Sequence, residues 1–408
     1  MKSLELLRDF DKETSSWKVQ ISVKYPLGVL VLELNLLLMP KRLLIFLCVL
    51  ASAKASAQTG SQGVFRILDI PMHSKSLAWC GYLISQPSSD ILQTTNNPAL
   101  LSDEHRFKAG LSAGTILPGV FSANAAFGIG NVTLSGRKIS LHGFAQHIDY
   151  GSMDGYDAGG NPTLKLVANE TNIGMGGSMV LSPQLRFGAQ LGMVYSILGP
   201  YISSGVYLNL GLNHIKKDST LSAGLLIKNL GAQVMSYQDA GREPLPFNIQ
   251  AAVAIMPKHM PFKFHLVAHS LQRWDLTYNQ YLNSNGQIDI NGQTVVPQEA
   301  KFAEKLGRHL AVGTELALGK NFGVFIGYSQ QRRKEMITDV RRGTAGFGWG
   351  LKFKMAKLDI TYSSASYFSS QNSNMFSIVI DPNRFTKKKS VVTQESHKHK
   401  QCQGIPEL

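Results

Sequence analysis

The chain has 408 residues, of which 44% are apolar and only 17% charged, and its formal net charge at pH 7 is +14. After residue 57 no apolar run reaches the roughly 18 residues that a membrane-spanning helix needs, which excludes a membrane protein built from helices. Three cysteines are too few for a disulfide framework, and Cys80 and Cys402 are left as a possible pair without support from their spacing.

The first 57 residues have the features of a processing signal. Lys41 and Arg42 precede an apolar run at 43–50, and small residues follow it at 55–57. A basic region, a short apolar region and small residues at the cleavage point are the parts of a secretory signal peptide. The sequence therefore predicts export by the Sec route.

We predict cleavage between Ala57 and Gln58, so that 1–57 are leader and signal peptide. The residues before Met39 fit a signal poorly, because they form a long region of mixed composition. Met39 heads a conventional signal, and we expect translation to start there. A genuine extended leader over 1–38 is the alternative.

Residues 58–106 contain apolar stretches at 65–71 and 81–84, too irregular for a pair of barrel strands. Asn97 followed by Pro98 marks a turn near the end of this segment, with Ala99 next in the chain. A segment of this composition has to bury its apolar side chains against another part of the protein.

From 107 to 380 the sequence alternates with a period of two residues. In 205–213 leucine and valine alternate with glycine and polar residues, and in 346–354 aromatic residues and leucine alternate with glycine and lysine. One face of each segment suits lipid and the other suits a lumen. The segments are 107–117, 121–133, 137–148, 171–182, 184–197, 202–214, 219–230, 247–257, 261–271, 308–319, 322–333, 342–354, 357–368 and 373–380.

The lengths of the connections follow a parity rule. Tight turns such as 135–136 follow even-numbered segments, whereas the three longest connections, 149–170, 231–246 and 272–307, follow odd-numbered ones. A closed up-and-down barrel in an outer membrane predicts short periplasmic turns and long external loops. A soluble β-sandwich also alternates, but it has no reason to sort its loops by parity.

The predicted fold is therefore all-β, a transmembrane antiparallel barrel of about fourteen strands over 107–380 in the outer membrane. Its lumen is the natural place for 58–106, which we predict to form a plug. Residues 381–408 are basic and poor in apolar side chains, which predicts a disordered periplasmic tail. In an exported barrel this charge favours contact with lipopolysaccharide or solvent over nucleic acid.

Motifs for catalysis or metal binding are weak. Ser135 and Lys138 match the S-x-x-K of serine transpeptidases, but they lie in a predicted hairpin and no K-T-G follows. His265 and His269 share a strand face with Lys263, yet positions four apart on a strand are about 13 Å apart, too far for one ion. We interpret them as solvated lumen residues and predict no enzyme activity and no cofactor.

With Asn97-Pro98-Ala99 ahead of fourteen predicted strands, the chain resembles FadL-type outer-membrane proteins, in which the N-terminal segment forms a hatch. It resembles more closely the outer-membrane barrels of the type IX secretion system of Bacteroidota, above all over 271–278. The stretches that carry this second resemblance are 97–101, 150–151, 154–157, 227–231, 242–247, 261–264 and 271–278.

The second resemblance implies a role in protein secretion and surface attachment. The implied partners are a PorZ-like surface protein, a PorU-like sortase and a PorV-like barrel of the same complex, with anionic lipopolysaccharide nearby. Long external loops would make the contacts. The candidate residues in them are Asp154, Tyr156, Asp157, Arg242, Glu243, Trp274, Asp275 and Tyr278.

Trp274 and Tyr278 are the candidate anchors, because aromatic side chains dominate interface energetics. Aromatic residues of a membrane-interface girdle are the other interpretation. The alternative function is FadL-like transport of hydrophobic small molecules through a kinked strand and the hatch.

Overall fold

The structure, a computed structural model, describes residues 4–11, 16–25, 28–34, 63–157, 159–238, 241–277, 301–336, 343–355, 358–366 and 372–382. Residues 1–57 form a unit of their own. In it β1 (Leu4–Asp11), β2 (Ser16–Tyr25) and β3 (Gly28–Leu34) pair antiparallel in chain order. Met39, Ala57, Gln58, Tyr278, Cys402 and the tail beyond 382 lie outside the described residues.

Fourteen antiparallel strands form a closed barrel, as predicted, and β17 pairs with β4 to close it. Most strand ends lie within the two to four residues of their predicted limits that are expected for boundaries read from sequence. Four differ by about five residues: Met153, Leu166, Met235 and Phe347. The strands are β4 (Ala109–Leu117), β5 (Val120–Leu134), β6 (Arg137–Met153), β7 (Leu166–Ser182), β8 (Leu185–Leu198), β9 (Tyr201–Ile215), β10 (Leu221–Met235), β11 (Asn248–Ile255), β12 (Phe262–Ala268), β13 (Leu310–Leu318), β14 (Phe322–Ser329), β15 (Phe347–Lys354), β16 (Leu358–Ala365) and β17 (Ser373–Ile380).

The two faces of the strands are those that the alternation predicts. In β9 Val206 lies exposed on the outer face, while Tyr207 and Asn209 are buried in the lumen. In β15 Phe347 and Trp349 are exposed on the outside. An apolar outer band around a closed barrel is the architecture of an outer-membrane protein.

The parity rule is confirmed by the positions of the connections. The tight turns, such as 135–136 and 319–321, lie at one rim, which we call the short-turn rim. The opposite, long-loop rim carries the long connections between β6 and β7, β10 and β11, and β12 and β13. The predicted loops 149–170 and 231–246 were too long, because β6, β7 and β10 extend several residues beyond the expected ends.

Two short helices at the long-loop rim were not predicted. α2 (Phe302–Arg308) precedes β13, and α3 (Gln330–Met336) follows β14 directly. The prediction that a strand continues to 333 was wrong. Residues 330–336 are mostly good helix formers. They also lie beyond the lipid, where side chains no longer have to alternate between a lipid-facing and a lumen-facing side.

Residues 63–108, which we call the plug, fill the lumen. They form α1 (Ser74–Ala78) and four short 3-10 turns, at Arg66–Asp69, Ile91–Thr95, Pro98–Leu100 and Asp103–His105. The plug contributes to all five buried apolar clusters of the described residues, and each cluster also contains wall side chains. In the described part of the chain no helix has the length and apolar character needed to cross a membrane.

Candidate functional site

Lumen-facing glycines mark where the plug meets the wall. A Cβ at Gly211 would overlap the Asn97 side chain, and a Cβ at Gly327 would overlap the backbone carbonyl of Ala78. Gly348 lies under that same carbonyl. These glycines therefore permit the close approach of a second backbone.

The Asn97-Pro98-Ala99 turn fixes the middle of the plug. Asn97 Oδ1 accepts a hydrogen bond from the Ala99 N–H at 3.0 Å, and Asn97 Nδ2 donates to the Ile84 carbonyl at 2.7 Å. The turn rests on two strands, because Gly188 of β8 lies against Pro98 and Ala99 while Gly211 of β9 lies under Asn97. Asn97 thus joins two segments of the plug and seats them on the wall.

A buried ion pair holds the plug at a second place on the wall. Lys75 of α1 lies 2.9 Å from Glu315 of β13, and both side chains are almost fully buried. Gln86 Nε2 donates to the same carboxylate oxygen at 2.9 Å, and Lys263 is 3.6 Å from the other oxygen. The Lys75 ammonium also lies 4.9 Å from the centre of the Trp79 ring, within the range of a cation–π contact.

His265 and His269 are not the solvated lumen residues that we expected. Both are buried. His265 stacks on Trp79 with ring centres 5.0 Å apart, and His269 stacks on Tyr82 at 4.0 Å. Trp79 and Tyr82 belong to the plug, so the alternation of residues along the strand could not show that they would cover the two histidines. Within the described residues no group of three possible metal ligands occurs.

The wall is incomplete between β10 and β11. The ladder between these strands ends where Lys228 lies opposite Asn248, the first residue of β11, but β10 continues to Met235. The neighbour of β10 over 229–235 is an irregular segment, 241–247, which we call the strap. We call the contact between 229–235 and the strap the seam.

Two prolines explain why the ladder stops. Pro244 and Pro246 lie in the strap, and proline has no N–H to give to a ladder. Side chains replace the missing backbone contacts. The Glu243 N–H donates to Gln233 Oε1 at 2.7 Å, and Asn229 Nδ2 donates to the Pro246 carbonyl at 2.9 Å.

An apolar cluster lies directly behind the seam. Leu245 of the strap is buried together with Phe65 and Leu68 of the plug. The Val64 N–H donates to the Pro244 carbonyl at 3.3 Å, so the start of the plug is tied to the strap. The remaining members of the cluster are wall residues, Ile148, Val194 and Tyr207.

The seam lies at the level of the apolar outer band. Leu230 and Val234 of β10 are 40% and 55% exposed on the outer face, and Val206 of β9, which is also exposed, lies opposite Ala232. Lipid therefore covers this part of the wall. At the seam, the strap lies between the bilayer and an apolar region of the lumen.

The candidate Trp274 belongs to a folded platform at the long-loop rim. Its ring lies 5.4 Å from that of Phe302, and the two side chains are 51% and 68% exposed. The His309 ring stacks on Trp274 at 5.6 Å, and His309 Nε2 is 3.0 Å from the Trp274 carbonyl. We call 271–277 with α2 and α3 the platform.

Ion pairs hold the platform together. Lys305 is 2.6 Å from Asp275, and both Arg308 and Lys334 lie within 3.3 Å of Glu304. Hydrogen bonding from Lys305 lowers the pKa of the Asp275 carboxyl to about 2. The platform therefore keeps its charges over the ordinary pH range.

The other predicted loop residues lie apart from the platform in the chain, and each makes its contacts locally. Asp154 lies 3.9 Å from Lys165, Tyr156 bridges to Pro162, and Asp157 accepts hydrogen bonds from Asn161, all within the loop between β6 and β7. Arg242 is exposed beside Glu243 in the strap.

The sequence reasoning did not find Gln233, Phe302 or the pair of Lys75 and Glu315. The two prolines of the strap carried a signal that was not used, because proline after a predicted strand indicates a ladder that cannot continue. Cys80 is buried with a free thiol, and burial raises its pKa to about 11.

No protein-family model and no curated protein matches the chain. Solved structures do match it. The Pseudomonas putida toluene transporter TodX is 13% identical over 78% of this chain and 98% of its own, with a TM-score of 0.45. A Pseudomonas aeruginosa FadL homologue is 11% identical over 76% and 98%, with a TM-score of 0.41. The monoaromatic hydrocarbon channel CymD is 10% identical over 76% and 97%, also with a TM-score of 0.41. The fold of this chain is established by its own strand pairing, which closes fourteen antiparallel strands into a barrel.

Proposed function

We propose that this chain is an outer-membrane channel that passes hydrophobic small molecules from the long-loop side of its lumen sideways into the bilayer. The observation that carries the proposal is the seam. At the depth of the apolar band, one stretch of wall is closed by side-chain contacts instead of a backbone ladder. A continuous ladder is what makes a barrel wall impermeable, since every backbone group is satisfied within it.

The path needs an apolar region on both sides of the opening. Phe65, Leu68 and Leu245 supply it inside, and lipid supplies it outside. Because the plug is hydrogen-bonded to the strap through Val64, a shift of the plug end moves the strap as well. The route involves no catalytic step and no cofactor.

Closing the seam covalently tests the route. Gln233→Cys with Glu243→Cys, in a chain carrying Cys402→Ser, changes the two residues that the hydrogen bond from the Glu243 N–H to Gln233 Oε1 now joins, so that a disulfide can tie the two segments together. We expect oxidation to stop uptake of a radiolabelled monoaromatic hydrocarbon into proteoliposomes whose outer leaflet is lipopolysaccharide, and reduction to restore it. Leu225→Cys with Ala251→Cys, at a pair already held by the ladder, is the matched control.

Two results would count against the proposal. Uptake by the wild-type barrel that does not exceed that of protein-free vesicles with the same lipopolysaccharide leaflet removes the channel. Uptake that persists with the seam cross-linked leaves a channel but removes the seam as its route.

A second candidate is favoured by the platform. Exposed aromatic side chains that lie together among charged groups are typical of a protein interface. The chain resembles PorQ of the type IX secretion system, and on this interpretation the platform anchors a PorZ-like surface protein, with a PorU-like sortase and a PorV-like barrel in the same complex. Deleting 272–307 should leave the barrel folded and release the partner.

A pull-down from cells distinguishes the two candidates. Trp274→Ala with Phe302→Ala should abolish recovery of a large surface protein, while Trp349→Ala, a lipid-facing aromatic residue, should not. Recovery of that partner with both platform aromatics removed contradicts the anchoring role. Hydrocarbon uptake in the same platform variant should be unchanged if the seam is the route.

A further inference from the structure

A groove on the lipid-facing surface of the wall has no part in either candidate function. Three small side chains follow one another across neighbouring strands: Ala223 of β10, Ala251 of β11 and Ala268 of β12. Ala251 lies opposite Ala268 in the ladder, and Ala223 lies opposite Val253. Larger apolar side chains flank them, and the lining is almost wholly apolar. These flanking residues are Leu185, Leu212, Leu225, Val253, Leu266 and Leu310.

Cationic turns lie below the groove at the short-turn rim. The turn between β9 and β10 carries Lys216, Lys217 and Asp218, and the turn between β11 and β12 carries Lys258. Lys216 is 3.3 Å and Lys258 is 4.0 Å from the same Asp218 oxygen. This group, which we call the lysine turn, has three ammonium groups for one carboxylate.

The carboxylate does not neutralise the group. Hydrogen bonds from Thr220 to Asp218, together with Lys216, lower the pKa of the Asp218 carboxyl to about 2, so it stays ionised and keeps the two turns together. The remaining positive charge is exposed to solvent at the edge of the apolar band.

The depth of the groove fits one leaflet. Leu225 and Ala251 lie four residues above Leu221, where β10 leaves the lysine turn. This distance is about 13 Å along the strand, or about 10 Å along the membrane normal at the usual strand tilt of about 40°. Half of a bilayer core of about 30 Å is about 15 Å. An acyl chain whose headgroup lies at the lysine turn is therefore long enough to reach Ala223, Ala251 and Ala268.

We infer that the groove and the lysine turn together bind one anionic phospholipid. An acyl chain lies over Ala223, Ala251 and Ala268, and the phosphate lies among Lys216, Lys217 and Lys258. The charge of the turn selects the headgroup, because each lysine near the surface attracts an anionic lipid. The inference depends on the barrel spanning a membrane and is independent of the channel.

Native mass spectrometry of the full chain, released from micelles that contain equal phosphatidylglycerol and phosphatidylcholine, tests the site. We expect the wild type to retain one phosphatidylglycerol in preference. Lys217→Gln with Lys258→Gln should reduce that retention by about fivefold for each lysine. Ala251→Phe should abolish retention by filling the groove.

Matched controls lie elsewhere on the same surface. Ala123→Phe on the outer face of β5 and Lys320→Gln in the turn between β13 and β14 should leave retention unchanged. Equal retention of the two lipids by the wild type overturns the inference, as does undiminished retention in Ala251→Phe. A wild-type dimer that Ala251→Phe converts to monomer also overturns it, since the groove is then an interface between two copies. If Ala251→Phe fails to fold, retention of phosphatidylglycerol by the variant Lys217→Gln with Lys258→Gln tests the site instead.

Discussion

Along β10, the two halves of one strand are held to the wall in different ways. From Leu221 to Lys228 the strand has a regular partner in β11, whereas from 229 to Met235 it has the strap. A ladder satisfies each N–H and C=O within the wall, and a strap containing Pro244 and Pro246 cannot. The difference shows that a barrel can keep its wall closed and still have a position where opening breaks few hydrogen bonds.

The plug is attached unequally to the two regions. On the ladder-sealed side it is held by the buried pair of Lys75 and Glu315 and by close packing on glycines. At the seam it contributes Val64 and an apolar cluster. Variants on the ladder-sealed side should therefore lower the stability of the barrel. Variants at the seam should instead weaken the barrier between the lumen and the bilayer.

Removing the carboxylate of the buried pair should have the largest effect. Glu315→Ala leaves the Lys75 ammonium buried without its closest partner, and breaking a buried pair in this way costs about 3–5 kcal/mol. We expect a marked fall in the unfolding temperature of the detergent-solubilised barrel. Glu315→Ala combined with Lys75→Met should recover much of the loss, and a double variant as unstable as the sum of the single variants would contradict the pairing.

Overfilling the contact between plug and wall should have the next largest effect. Gly327→Val places a side chain against the Ala78 carbonyl, and overpacking of this kind costs about 1–3 kcal/mol. We expect lower thermal stability and a higher ion conductance in planar bilayers as the plug is displaced. Gly143→Val, on a strand position with no close neighbour, is the control and should do neither.

Loosening the seam should change stability little and uptake much. Gln233→Ala removes the acceptor of the Glu243 N–H, and one such hydrogen bond contributes about 1 kcal/mol. We expect faster hydrocarbon uptake with the unfolding temperature almost unchanged. Gln250→Ala, on the lumen face of the ladder-sealed half, should leave uptake as it was; equal acceleration by both variants would remove the distinction between the two halves.

The platform should show the smallest effect, and only in acid. The pKa of Asp275 is lowered to about 2, so its contribution is complete above the ordinary carboxyl pKa of about 3.9 and is lost as the pH falls towards 2. An exposed pair such as this contributes at most about 1 kcal/mol. The protection of α2 against hydrogen exchange, taken relative to the intrinsic exchange rate at each pH, should therefore fall slightly between pH 4 and about pH 2. Lys305→Ala should reduce that dependence to the part that Glu304 contributes through Arg308 and Lys334, and an undiminished dependence would contradict the assignment to the pair of Lys305 and Asp275.

Much of the barrel could be predicted because its pattern is local. Alternation in 205–213 and 346–354 assigns each side chain to lipid or lumen, and strand and turn lengths follow from the same pattern. α3 was missed because the chain at 330–336 has left the bilayer, where period two no longer applies. Arg242 and Glu243 were predicted as candidate partner contacts in an external loop, but their place beside an unfinished ladder was not visible in the sequence.

The sequence by itself determined a closed fourteen-stranded barrel with long loops at one rim. Each strand has to face lipid on one side, and every second residue of the strand is therefore apolar. Only the tertiary structure decided how the lumen is filled and where the wall is weak. Trp79 meets His265, Lys75 meets Glu315 and Glu243 meets Gln233 across separations of 10 to 240 residues. Contacts of this kind depend on how the strands close around the plug, and no local period encodes them.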